Sequence, residues 1–189
     1  MKTIDYLNNI IKETKNLKRE TNTITIIGNI LYNSKQNNQT VFIVGNGGSA
    51  STATHLACDL FKTSGTKAIS FDNIPLNSAI TNDEGWSELY EYQLKKWYKE
   101  GDILIAISVH GGSGKENAGP WSQNLNRAID YVNKNGGITI GLSGFDGGYL
   151  KEKCNYCLVI KTESTPVVES MHVIIHHLLA FLLQEGDRL

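Results

Sequence analysis

Residues 41–59 read VFIVGNGGSASTATHLACD. The four apolar residues Val41, Phe42, Ile43 and Val44 have the length and β-branching of a buried strand. They run directly into Gly45-Asn46-Gly47-Gly48-Ser49, a turn without bulky side chains. A small-residue stretch follows and leads to His55 and Asp59, four apart on a predicted helix. Strand, bare glycine turn and helix N-terminus is the arrangement by which an α/β protein turns backbone N–H groups toward an anion. Two polar side chains one helical turn apart then share a face beside it.

Beyond residue 40 the pattern repeats. Strand-like runs occur at 41–45, 67–71, 102–107, 137–142 and 156–160, with helical stretches at 50–63, 86–99, 122–134 and 165–184. Such alternation predicts a five-stranded parallel sheet with helices on both faces, a three-layer α/β/α sandwich. Residues 3–36 carry apolar positions at helical spacing (Ile4, Leu7, Ile10, Ile11, then Ile24, Ile27, Leu31), and Lys18–Thr23 reads as a break. The expected organisation is a single domain over 1–189, with N-terminal helices over 1–38 and an α/β core over 39–189.

Composition narrows the function. The chain has 189 residues, 40% hydrophobic and 20% charged, with a net charge of −1. No basic run favours nucleic acid or an anionic membrane. The first residues lack the apolar core of a signal peptide, and no span of about 18 apolar residues is expected. The three cysteines include Cys154 and Cys157 in a C-x-x-C, but no second pair completes a zinc site, and they read as packing residues. A reducing cytoplasm is the expected compartment.

Ligands of a parallel sheet bind at the carboxyl ends of its strands. Three loops there are rich in glycine and serine: 45–49, Ser108–Gly114 and Ser143–Gly148. The turn at 45–49 matches neither a dinucleotide fingerprint nor a P-loop. Hydroxyls and backbone N–H groups suit a phosphate without a nucleotide. The last helix, otherwise apolar, holds Glu169, His172, His176 and His177. On helical spacing Glu169 shares a face with His172 and His176, and His177 lies about 80° away. Two histidines and two carboxylates from two helices make a divalent-metal set.

With GNGGSASTATHLACDL, DILIAIS, GLSGFDGG and ESMHVIIHH in place, the chain resembles the sugar isomerase (SIS) domain family, most closely its phosphoheptose isomerase branch. The resemblance spans nearly the whole chain and implies a flavodoxin-like sheet. It implies an enzyme that converts sedoheptulose 7-phosphate to D-glycero-D-manno-heptose 7-phosphate through an enediol. It also implies a homotetramer with active sites at subunit interfaces and one zinc ion per site. Carried over, the metal ligands are His55, Asp59, Glu169 and His177. The catalytic groups are Asp59 or Glu169 as base and His177 as acid. The substrate contacts are Asn46, Gly47, Gly48, Ser49, Asn82, Asp83, Ser108 and Ser113. The metal would polarise the carbonyl.

This chain departs from the family at three places. Asp59 stands where the family has glutamate, and Glu169 where it has glutamine. Val109 and His110 replace a Ser/Thr-rich loop, followed by a longer segment to Trp121. The altered loop leaves open another sugar phosphate as substrate, and a non-catalytic phosphosugar-binding or adaptor protein is the remaining reading.

Overall fold

The computed structural model describes residues 2–112 and 122–184. Helices α1 (Thr3–Leu17) and α2 (Thr21–Gln36) are joined by a 3₁₀ turn at Lys18–Glu20, where the break was expected. Five strands follow: β1 (Val41–Gly45), β2 (Ala68–Ser70), β3 (Ile103–Ser108), β4 (Ile138–Gly144) and β5 (Tyr156–Ile160). Between and after them lie α3 (Gly48–Asp59), α4 (Ile74–Asp83), α5 (Leu89–Trp97), α6 (Gln123–Lys134), α7 (Gly148–Lys153) and α8 (Thr165–Gln184). The sheet order is β2-β1-β3-β4-β5, every pairing parallel, which is the doubly wound flavodoxin-like order.

Strand alternation divides the core in two. Ile103, Ile105 and Ile107 of β3 face one layer with Leu31, Leu56, Met171 and Ile175. Leu104 and Ala106 face the other with Leu94, Leu125, Ile129 and Leu150. Successive side chains of a strand point to opposite faces, so helices cover both sides. α2, α3 and α8 build the first layer; α5, α6 and α7 build the second.

Helices α4 and α7 were not anticipated. Only Ile80 of α4 and Leu150 of α7 are buried, so neither segment carries an apolar stripe. Capping starts α4 instead: the Asn73 side chain accepts from the Leu76 N–H at 3.0 Å, with Pro75 in the first turn. α3 ends in a π-helical segment, Leu60–Ser64, closed by Gly65 in a left-handed conformation.

α8 is long and apolar enough to cross a membrane by length and composition, contrary to the expectation that no such span exists. Half of that span is buried inside the fold, where Val168, Met171, Ile175 and Leu179 pack on the sheet. α1 also differs from its sequence reading. Ile10 packs partly on the core, but Ile4, Leu7 and Ile11 are 61%, 49% and 53% exposed and form an outward stripe. α1 is held through Tyr6, whose hydroxyl pairs with Ser170 Oγ at 2.6 Å. The Cys154 and Cys157 thiols are both pushed up by burial, as packing residues would be.

Candidate active site

The glycine turn links β1 to α3 at the carboxyl edge of the sheet. A Cβ on Gly45 would stand 2.5 Å from the Ser49 carbonyl oxygen, so the turn closes this tightly only around glycine. Gly47 adopts φ +57°. Asn46 is a clamp: its Nδ2 donates to Asn124 Oδ1 at 3.0 Å, and Asn124 Nδ2 returns a bond to Asn46 Oδ1 at 2.9 Å. The Tyr90 hydroxyl donates to the Gly45 carbonyl, and burial pushes this phenol up to about 12, so it remains a neutral donor. Neither Tyr90 nor Asn124 was singled out from the sequence. Each lies in a helix with ordinary amphipathic spacing, and only the fold brings it to the turn.

Of the expected substrate contacts, Ser49 and Ser108 are buried near adjacent strand ends, where Gly45 pairs with Ile107 and Ser108 with Ser143. Ser108 Oγ accepts the Gly112 N–H at 2.9 Å. Ser113 lies outside the described residues. Asn82 and Asp83 are exposed at the end of α4 and bonded to each other, Nδ2 to Oδ1 at 2.8 Å. His110 stacks on Phe145 of the next loop, centroids 4.4 Å apart. A cavity of about 190 Å³ opens beside the turn, lined by Asn46, Gly47, Thr54, Phe71, Trp86 and Tyr90. It takes in the loop after β2, which the sequence reading passed over.

On the opposite flank of α3, His55 and Asp59 face α8. The groups that converge are His55, Asp59, His176 and His177, with one ligand atom from each lying within 4.8 Å of the others. Asp59 Oδ2 is central: the Nε2 atoms of His176, His55 and His177 stand 3.4, 3.5 and 4.0 Å from it. His176 is fully buried, Asp59 is partly buried, and His55 and His177 are about half exposed. Glu169 lies outside this group, its carboxylate set against Gly48, where a Cβ would meet Oε1 at 2.6 Å. Thus His55, Asp59 and His177 of the expected metal set come together, and His176 joins them.

These residues fit a divalent cation. Asp59 Oδ2 and both ring nitrogens of His176 are buried without a hydrogen-bond partner, a costly state that a cation relieves. Burial, then the His177 and His55 rings, pull His176 down to about 4, with Asp59 opposing. The imidazole is therefore neutral near pH 7, the form that ligates.

His172, one turn earlier and also buried, is pulled down to about 4 by burial, with the Ser143 backbone opposing. A histidine whose folded pKa lies below its unfolded value binds its proton more readily when unfolded. Its stability contribution is complete above about pH 6.5 and is lost as the pH falls toward 4. The urea midpoint of metal-free protein is therefore expected to fall between pH 7 and pH 4.5, and replacing His172 with Gln should flatten part of that slope. A midpoint that does not move over this range would contradict the assignment.

Fold and site together define a doubly wound α/β protein with a glycine turn at the carboxyl edge of its sheet and, on one flank, a histidine–aspartate cluster that could hold a cation. Residues 5–144 match the SIS domain, and the chain belongs to the SIS domain family. It is 35% identical over 164 residues to a phosphoheptose isomerase of a Nitratiruptor species, covering 83% of this chain and 82% of that one. Phosphoheptose isomerase 2 of Campylobacter jejuni is 30% identical over 190 residues, covering 95% and 89%. Among solved structures, a phosphoheptose isomerase from Neisseria gonorrhoeae superposes with a TM-score of 0.86 at 20% identity, covering 96% of each chain. That likeness establishes the fold.

Proposed function

We propose that this protein is an aldose–ketose isomerase that converts sedoheptulose 7-phosphate to D-glycero-D-manno-heptose 7-phosphate through an enediol. The observation that carries the reading is the cluster of His55, Asp59, His176 and His177 held between α8 and the helix that follows the glycine turn, in a chain whose relatives named phosphoheptose isomerase match it over most of their length. Removing a proton next to a carbonyl needs a base within reach and stabilisation of the enediolate. Asp59 and Glu169 are the carboxylates at hand, and half-exposed His177 is placed to donate a proton. Ser49 and Ser108, with Ser113, bind the phosphate, and Asn46 holds the turn in shape.

The cation assigned to the cluster is zinc, one per site, which suits imidazole and carboxylate donors and supplies a fixed positive charge between α3 and α8. The same proposal includes a homotetramer with sites at subunit interfaces, in the cytoplasm. Its support is the outward stripe of Ile4, Leu7 and Ile11, and the exposed Phe61 and Phe181, the latter with its ring centroid 6.3 Å from that of His177. A second copy would bury both groups of apolar surface. A purely adaptor-type protein would have no use for buried, unpartnered His176 and Asp59 Oδ2.

One observation favours a different sugar phosphate: His110, where the family carries a hydroxyl, stacks on Phe145 and changes the ligand edge. Turnover of five-, six- and seven-carbon ketose phosphates by the purified protein, with and without added zinc, separates the two readings. The seven-carbon substrate is expected to give the highest kcat/KM. A five- or six-carbon ketose phosphate ahead of it would transfer the assignment to that sugar.

A further inference from the structure

The backbone of Phe145 lies at φ +54°, in the left-handed region that bulky side chains avoid. A strained residue at a strand end points to a use for the geometry it fixes. What it fixes is His110, whose imidazole lies on the Phe145 ring with centroids 4.4 Å apart and planes 22° apart. The two loops that carry the pair are locked backbone to backbone. The Val109 carbonyl accepts the Gly144 N–H at 3.0 Å, and a Cβ on Gly148 would stand 2.6 Å from the His110 carbonyl oxygen. Phe145 is partly buried and His110 is exposed, so the imidazole is held in place and still open to a ligand.

The pair stands at the carboxyl edge of the sheet, on the side of α3 and α8. Val109 and Phe145 pack on the core layer that those helices share. Val168 of α8 packs on Gly144, and the next residue, Glu169, meets Gly48 at the start of α3. Ser108, two residues before His110, ends β3, and its neighbour Ile107 pairs with Gly45 of the glycine turn. None of the loops 45–49, 108–112 and 143–148 contains a lysine or an arginine. Asp146, their acidic residue, is exposed and accepts the Gly148 N–H at 3.0 Å. His110 is the side chain of these loops that can offer a phosphate dianion both an N–H donor and a positive charge. We propose that His110 binds the phosphate group of the sugar phosphate, and that Phe145 is a positioning residue that holds the imidazole there. The proposal rests on the sugar-phosphate reading above.

The test uses the whole chain, with inorganic phosphate as the first probe. In protein labelled with nitrogen-15 histidine, phosphate should shift the His110 imidazole resonances, assigned by their loss in His110→Ala. That variant should bind phosphate at least about 10-fold more weakly, the size of a hydrogen bond to a charged group. With ketose phosphates the loss should fall on KM and not on kcat, as for a contact made equally in ground and transition states. Five-, six- and seven-carbon substrates should lose alike, because the phosphate is common to them. Phe145→Leu keeps the strained backbone and the apolar bulk but not the flat face. It should weaken phosphate binding by about 3-fold, the cost of ordering a freed side chain, and Phe145→Tyr should restore the wild-type value. Unmoved His110 resonances, or undiminished phosphate affinity in His110→Ala, would overturn the phosphate contact. So would losses that differ between sugars while phosphate affinity holds, which would place His110 on the sugar chain. Wild-type phosphate affinity in Phe145→Leu would overturn the positioning role. Phosphate bound through His110 by a protein that turns over no ketose phosphate would support the contact and overturn the isomerase reading.

Discussion

Replacing Gly111 with alanine is expected to lower the stability of the fold by at least about 3 kcal/mol, a fall in Tm of roughly 6–12 °C for a domain of this size. Gly111 has φ +64°, and a Cβ there would overlap the Gly147 carbonyl. This is backbone against backbone, so no side chain can swing aside. The contact joins the loops after β3 and β4, which are also tied by Gly144 N–H to the Val109 carbonyl at 3.0 Å and Leu150 N–H to the Gly111 carbonyl at 2.9 Å. Gly65→Ala is the control. Its φ of +70° is similar, but its nearest neighbour would be Lys35 Cε at 3.9 Å, so it should cost only about 1 kcal/mol. Thermal unfolding of the two variants checks the difference. Equal losses would mean that the close approach of the two loops does not contribute.

The second large effect concerns the cation. Asp59→Asn removes the one negative charge among three imidazoles and is expected to weaken zinc binding by at least about 100-fold, measured by competition with a chromophoric chelator. The metal-free variant should remain folded, because the core around α3 is built from Ala53, Leu56, Ala57 and Leu60 and not from Asp59. Zinc should raise the Tm of the wild type and leave that of the variant nearly unchanged, since a ligand stabilises only the state that binds it. Undiminished zinc affinity in Asp59→Asn would remove Asp59 from the site.

The β1–α3 unit was legible because its signals agree: a β-branched run, glycines where the chain must turn tightly, and a buried helix. Once that unit was read, β3, β4 and β5 followed from their apolar runs, and α8 was located to the residue. α4 and α7 were not legible because each buries a single apolar side chain. The stripe of α1 was visible, but periodicity does not say whether an apolar face meets its own chain or another surface, and Ile4, Leu7 and Ile11 turn outward.

The site shows the same division. The turn, Ser108 and the pair His55 and Asp59 could be placed from local pattern alone. Helical spacing grouped His172 with His176, and both are buried. Spacing within α8 could not say which of its polar residues meets Asp59, because that depends on how far α8 slides along α3. The register that sets Glu169 against Gly48 and His176 against His55 is a tertiary fact. Tyr90 and Asn124 went unnoticed for a related reason, since they reach the glycine turn from α5 and α6 across long separations in sequence.

The proposed reaction interconverts a ketose phosphate and an aldose phosphate through an enediol. The most direct measurement incubates zinc-loaded protein with sedoheptulose 7-phosphate in deuterated water and follows the mixture by proton and carbon NMR. The expected result is a new aldose 7-phosphate carrying deuterium at C2, together with exchange at C1 of the remaining ketose. Folded, zinc-loaded protein that leaves the ketose unconverted and without deuterium would contradict it.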